Sequence, residues 1–460
     1  MTNLPQQTVF FPELFSKPVS VNFSQEHLSS NGGSLLLKAV DKKLGLTEAI
    51  AGAIVDKRQP KKVRHEILDL VRQRVFALAS GYPDCNDAQH LNGDPIMKLL
   101  CDRDPISGAD LASQPTLSRL ENSVTEAQLI SISRQMAKVV LREQARRRRG
   151  KHRQRVIIDI DPTCDPTYGA QQLTLFNGYY DTSCYLPLVV TISFGRETRK
   201  YPFALVLRPG VIRGKEGEGT LPILKRVILL VRQYFPKSQI FFRADAAFSA
   251  PWMTDWLEGE RIKYAISMAS NPVLKRRSVR AMAISRLRAH KFNRSETLHR
   301  ETLYKAKSWQ HPRRVAYKAE VLLKDGEFRD NDRYVVTNLK GNYGPLGVFN
   351  FYYGHSVIEN TIKDFKYDLA LGRTSCSSFL ANQLRVLWSL AAFILMQSLQ
   401  EHIADKRLAS ATMHTLRECL LKIAVVVRES TRRIVANFTA HHPWADIWLK
   451  CAMNMGAASG

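Results

Sequence analysis

The sequence contains no CxxC pair and no Cys/His grouping at zinc-finger spacing, and its 7 cysteines are scattered along the chain. Their odd number and wide separation exclude a disulfide scaffold and a structural zinc module, and point to a reduced, cytoplasmic setting. No apolar run reaches the about 20 residues that a membrane span needs. The longest, Val386 to Leu399, is broken near its end by Gln397 and Ser398 and reads as a core helix. The start, MTNLPQQTVFFPELF, lacks a basic segment followed by an apolar stretch, so export is not expected. Repeats and low-complexity tracts are also missing. Acid is scarce: 42 Asp and Glu stand against 67 Lys and Arg, a net charge of +25. That imbalance makes an extended polyanion the first partner to consider.

What is present describes a large folded protein. At 460 residues and 45% hydrophobic composition the chain exceeds what one core usually organises and is far from the disordered regime. The expected class is multidomain α+β. Residues 1–30 read as an extended arm and 31–145 as a helical DNA-binding region, with helical spacing from Ser34 to Leu44 and from Glu66 to Ser80. Within it, LASQPTLSRLEN reads as a helix, a turn at Gln114-Pro115, and a second helix exposing Ser118 and Arg119. This fits a DNA-reading element or, equally, a helical hairpin packed on a core.

A basic run with no acid in it follows: Arg146, Arg147, Arg148, Arg149, Lys151, Arg153 and Arg155. It marks a domain boundary and suits contact with phosphates. Residues 146–274 then alternate β-rich and helical segments, as a mixed α/β sheet does. From 275 to 345 the pattern reads as a β-rich insertion, approached by Lys275, Arg276, Arg277, Arg280, Arg286, Arg288, Lys291 and Arg294. Residues 346–400 and 401–460 read as helical.

Three acidic positions stand where a strand or helix would deliver a carboxylate to a sheet edge. In VIIDIDPT, Asp159 and Asp161 share one strand face. In IFFRADAAF, Asp245 follows an apolar strand, where capping of the next helix is the alternative role. In YYGHSVIENTIKDFK, the spacing puts Tyr352, His355, Glu359 and Lys366 on one face of a helix if it runs through Gly354. Lys363 is one turn beyond Glu359, as in an ordinary solvated i,i+4 pair. Two strand aspartates and a helix glutamate suit two Mg2+ ions and phosphodiester chemistry. Lys366 and His355 would then hold flanking phosphates.

Taken together, GYPDCND, LASQPTLSRLEN, DIDPTCDPTYGAQQ, FNGYYDTSCYLPL, LRPG, FRADAAF, RYVVTNL, IENTIKDFK and SCSSFLANQLR resemble insertion-sequence DDE transposases, most closely the insertion-sequence thirteen-eighty family. The resemblance implies an RNase H-like core, with residues 346–400 supplying its second part, and a triad of Asp161, Asp245 and Glu359 holding Mg2+, for which Mn2+ could substitute. Asp159 would be an additional acid. The resemblance further implies binding of terminal inverted repeats and target DNA, cut-and-paste strand cleavage and transfer, and a homodimer in a bacterial cytoplasm. His355 stands where related transposases carry Arg, which would make that phosphate contact pH-dependent. An RNase H-like nuclease without strand transfer and a noncatalytic transposase-derived DNA-binding protein are the alternatives.

Overall fold

A computed structural model describes residues 8–13, 16–149, 154–211, 219–341 and 343–458. Lys151 and Arg153 of the basic run lie outside the described residues. The chain divides into two compact units. One comprises residues 44–57 and 119–397, and the other 1–43, 58–118 and 398–460.

The first unit is built on an eight-stranded sheet. In chain order its strands are β1 (Arg155–Pro162), β2 (Leu188–Phe194), β3 (Tyr201–Val206), β4 (Gln239–Ala244), β5 (Lys263–Met268), β6 (Glu296–Tyr304), β7 (Arg313–Lys324) and β8 (Glu327–Thr337). Across the sheet they lie in the order β3-β2-β1-β4-β5-β8-β7-β6. The first three are antiparallel neighbours, β4 and β5 run parallel to β1, and the last three form an antiparallel meander paired to β5 through β8.

The runs VIIDI and LVVTISF are apolar on both faces because both faces are covered: Val156, Ile158, Val190 and Ile192 are all fully buried. On the other face Ile157, Phe241, Ala265 and Val335 pack against Val348 and Phe349 of the helix Pro345–Tyr353. The apolar run near 386 belongs to the helix Phe379–Gln400, whose most apolar stretch is 78% buried, as a core helix should be.

Three sequence expectations change here. The basic stretch after 272 is a single helix, Pro272–Phe292, capped by Asn271 and burying Leu274, Ser278, Ala281, Met282, Ser285 and Ala289. Helical spacing of these small and apolar residues was masked by the arginines between them. The strands that follow, read as a β-rich insertion, extend the main sheet through the pairing of β8 with β5. Gln114-Pro115 opens a helix, Gln114–Ser123, where it was expected to separate two; proline is well suited to a first turn. In that helix Arg119 is exposed and Ser118 half-buried.

The second unit combines the helix Ile67–Ala79 with residues far along the chain. Its three-stranded sheet orders Ile434–Phe438, Val425–Glu429 and Leu28–Ser29. The region after 401 is therefore not wholly helical: VVVRE and IVANF, rich in β-branched residues, form a hairpin.

Candidate active site

Register explains how the acids come together. Along the parallel pair of β1 and β4, Ile157 is opposite Phe241 and Asp159 opposite Arg243. The same parity carries Asp161 and Asp245 to the neighbouring C-terminal ends of those strands, where both are half-buried. Pro162 terminates β1, and Asp245 turns the chain after β4 by accepting a hydrogen bond from the Ala247 amide at 3.1 Å. The capping role considered for Asp245 is thus real and leaves its second carboxylate oxygen out of that bond.

Asp159 and Asp161 differ sharply in surroundings. Asp159 is fully buried and takes Nε and Nη2 of Arg243 at 2.7 and 2.9 Å, Lys200 Nζ at 2.5 Å, and His355 Nδ1 at 3.1 Å. Burial alone would raise its pKa; Arg243, His355 and Lys200 outweigh burial and hold it well below the usual carboxylate range. Asp161 has the opposite balance. Burial, with the charges of Asp245, Glu359 and Asp159, pushes it up to about 7 against the pull of His355. Asp245 is also raised by burial, offset by the Ala247 amide, His355 and Arg208.

The segment carrying Glu359 departs from the expected continuous helix. Pro345–Tyr353 ends at Gly354, a short turn follows, and Ile358–Lys363 is a separate helix continued by one π turn over Asp364–Asp368. Gly354 is required by close packing: a Cβ there would lie 2.3 Å from Arg243 Nη1, which donates to the Phe351 carbonyl at 2.7 Å. The break separates the side chains read as one face. Glu359 and Lys363 are exposed and Lys366 half-buried, whereas His355 is 7% exposed and turned to Asp159. His355 is therefore corrected from a phosphate-facing clamp to a partner of a buried carboxylate. Tyr352 remains near the acids; burial raises its phenol pKa, as do the charges of Asp245 and Asp161.

The arginine run is likewise more engaged than a solvated linker. The helix Glu126–Arg147 extends into it, and Glu143 binds Arg146 Nη2 at 2.8 Å and Arg147 Nε at 2.7 Å. Arg148 lies 3.8 Å from the centre of the Phe194 ring and pairs with Glu197. Arg146 and Arg149 are exposed.

Several nearby residues carry no obvious sequence signal. Asp165 is buried, accepts from Thr374 Oγ1 at 2.7 Å and leaves Oδ1 without a hydrogen bond; burial pushes its pKa up to about 6 against Thr374 and Lys366. Arg208 is buried, donates to the Leu186 carbonyl at 2.9 Å, and its charge reaches Asp245. Arg243 could have been found, since it is two residues before Asp245 and shares its face.

Asp161 and Asp245 are hard oxygen donors with an unfavourable mutual charge, and the cations of this cluster are drawn to Asp159. Such a set fits a divalent cation. Among the described residues, the three metal-type side chains whose ligand atoms lie within 4.8 Å of one another are Asp255, Glu258 and His311. Arg313 already neutralises that set through Asp255 and Glu258.

Comparison with known proteins gives the family. A family model described as "Transposase DDE domain group 1" matches residues 11–459. No curated protein matches this chain. Among solved structures, the cryo-EM structure of a piggyBac transposase synaptic complex with hairpin DNA aligns over 84% of this chain and 80% of that one, at 12% identity and a TM-score of 0.42. The family model spans nearly the whole sequence, and on that match the chain belongs to the DDE transposases.

Proposed function

We propose that Asp161, Asp245 and Glu359 are the acidic triad of a cut-and-paste transposase that nicks DNA at terminal inverted repeats and transfers the freed 3′ hydroxyl to target DNA. The observation that carries this reading is the contrast on one strand. Asp159 is neutralised by Arg243 and Lys200, while Asp161, two residues on, is raised to about 7 beside other acids. A protein that merely needed a stable sheet would gain nothing from under-compensated carboxylates at adjacent strand ends.

The core strand order β3-β2-β1-β4-β5, with β1 to β3 antiparallel and β4 and β5 parallel to β1, supports an RNase H-like assignment. Assignment to the insertion-sequence thirteen-eighty family rests on the sequence motifs, and a bacterial, cytoplasmic setting accompanies it.

In this reading Asp161, Asp245 and Glu359 would hold two Mg2+ ions, which when bound would supply activation of the attacking oxygen and stabilisation of the leaving one. Asp161 accepts as a carboxylate only when deprotonated. The buried Asp159 cluster fixes both strand ends beneath it, through Arg243 on β4 and His355 before the Glu359 turn. Lys363, Lys366 and Tyr352 lie on the same segment as Glu359 and approach the DNA backbone. Arg119, Arg146 and Arg149 offer exposed cations, and Ser118 accompanies Arg119. Two copies acting on two transposon ends form the assembly that paired cleavage calls for.

The test is end processing by the full-length protein. Labelled transposon-end duplex should be nicked with Mg2+ and left intact with EDTA. Asp161→Asn, Asp245→Asn and Glu359→Gln should each lose nicking by at least about a thousandfold while retaining DNA binding. Full activity in any one of them removes that residue from the triad. Nicking without joining to a target plasmid would favour the simple nuclease.

A further inference from the structure

A small three-stranded sheet follows β1 directly: Asp165–Pro166 and Leu175–Asn177 flank Thr182–Tyr185. Its hairpin tip, FNGYYDT, presents large rings to solvent. Phe176 is 59% and Tyr179 87% exposed. These rings are held by a braced turn. Asn177 Oδ1 accepts from the amides of Tyr179 and Tyr180 at 3.0 and 3.2 Å, and Asn177 Nδ2 donates to the Gly210 carbonyl at 2.8 Å. Gly210 packs so closely that a Cβ would meet the Cys184 carbonyl oxygen at 2.1 Å. Tyr179 in turn stands edge-on to Tyr180, with ring centres 4.9 Å apart.

The tip also lies beside the acids. Tyr180 is 38% exposed; the burial of the rest of its ring, Cys164 and Tyr179, then Asp161 and Asp245, push its phenol up to about 12. A rigid aromatic tip costs exposed apolar surface without lending core packing. At the edge of a phosphodiester site, the nearest ligand with a large flat apolar face is a nucleobase attached to the bound backbone.

We propose that the 176–182 hairpin is a stacking platform for an unpaired base of the DNA strand engaged at Asp161 and Asp245, with Tyr179 as the ring that stacks. This rests on the DNA-processing reading above. Tyr180 supports Tyr179 edge-on and separates the base from the carboxylates. Ring stacking is indifferent to base identity, so the platform selects strand opening beside the reacting phosphate and not a sequence.

Full-length protein should be titrated, in EDTA, with a fully paired duplex and with the same duplex carrying a short unpaired thymidine tail. The wild type should prefer the tailed DNA by about tenfold, the scale of one stacked base. Tyr179→Ala should lose that preference and keep duplex affinity, Tyr179→Phe should keep both, and a tail of abasic sites should bind wild type and Tyr179→Ala alike. Equal affinity of the wild type for both DNAs, or an unchanged preference in Tyr179→Ala, overturns the platform. If the tail preference is intact but Tyr179→Ala abolishes concentration-dependent self-association, the tip is a contact between copies and the platform again falls. Failure of the wild type to bind any of these DNAs would instead overturn the DNA-processing reading itself.

Discussion

Asp159 shows how much one buried carboxylate can organise. It joins β1 to Arg243 of β4, to Lys200 and to His355, so removing its charge strands the Arg243 guanidinium in the core beside a lysine whose pKa burial already lowers. Asp159→Asn should therefore destabilise the protein by ~3–5 kcal/mol, measured by denaturant unfolding. The sign with pH follows from the direction of its pKa. Because the folded value is depressed, the stabilisation is fully present above the ordinary carboxylate range near 3.8 and fades as pH falls through the lower folded value. The gap between wild type and Asp159→Asn should be constant from pH 8 to 5 and narrow only in strong acid. A gap that closes near neutrality would mean that another group carries the effect. Alternation in VIIDIDPT made the shared face of Asp159 and Asp161 legible from sequence. Which of them was neutralised was not, because Lys200 and His355 arrive from elements remote in the chain.

At the scale of elements, sequence periodicity carried the apolar strands and the core helix Phe379–Gln400 well, since their patterns answer to burial alone. It failed where packing, not periodicity, set the boundary. At the end of its helix Gly354 has no room for a side chain because Arg243 occupies that space. Gly354→Ala should displace that guanidinium from Asp159, cost ~1–3 kcal/mol by overpacking, and reduce nicking more than DNA binding by shifting the turn before Glu359. An unaltered melting temperature and nicking rate would refute this account of the close packing at Gly354. The arginine run was legible as charge, but Glu143 lies one helical turn before it and outside the run. Arg146 donates to this carboxylate, which is held at a pKa of about 2 against burial and with help from Arg147. Glu143→Gln should release Arg146 and take one partner from Arg147, tighten nonspecific DNA binding at low salt and steepen the salt dependence by up to about 0.9 log unit per added phosphate contact. Identical salt slopes for the two proteins would leave these arginines out of the interface.

For the whole molecule, composition established a large basic chain of several units but could not reveal that one unit is assembled from both ends of the sequence. Such pairings depend on contacts between segments hundreds of residues apart, for which single-sequence periodicity has no signal. Leu28 and Ser29 pair with Val426 and Val425, the Gly32 amide donates to the Ile423 carbonyl at 3.0 Å, and Arg417 Nε donates to the Ala79 carbonyl at 2.9 Å. Glu429 Oε2 accepts from the amides of Ile106 and Ser107 at 2.7 and 3.1 Å. Residues 1–145 alone would expose the surfaces that Leu416, Leu420, Leu421, Ile423 and Val425 bury, all of them 2% exposed or less. That fragment should be protease-sensitive and lack a cooperative unfolding transition. A milder version of the same prediction uses the intact chain. A Cβ on Gly33 would lie 1.7 Å from the Leu420 carbonyl oxygen, and a backbone atom cannot swing aside as a side-chain end can. Gly33→Ala should therefore force residues 32–34 away from 417–423 and lower the stability of this unit by several kcal/mol, on the scale of ~1–3 kcal/mol or more for overpacking. Hydrogen exchange by mass spectrometry separates the two units: protection should fall in the peptides spanning 28–40 and 416–428 while β1 and β4 keep theirs. Equal loss of protection in β1 and β4 would mean that the two units unfold as one.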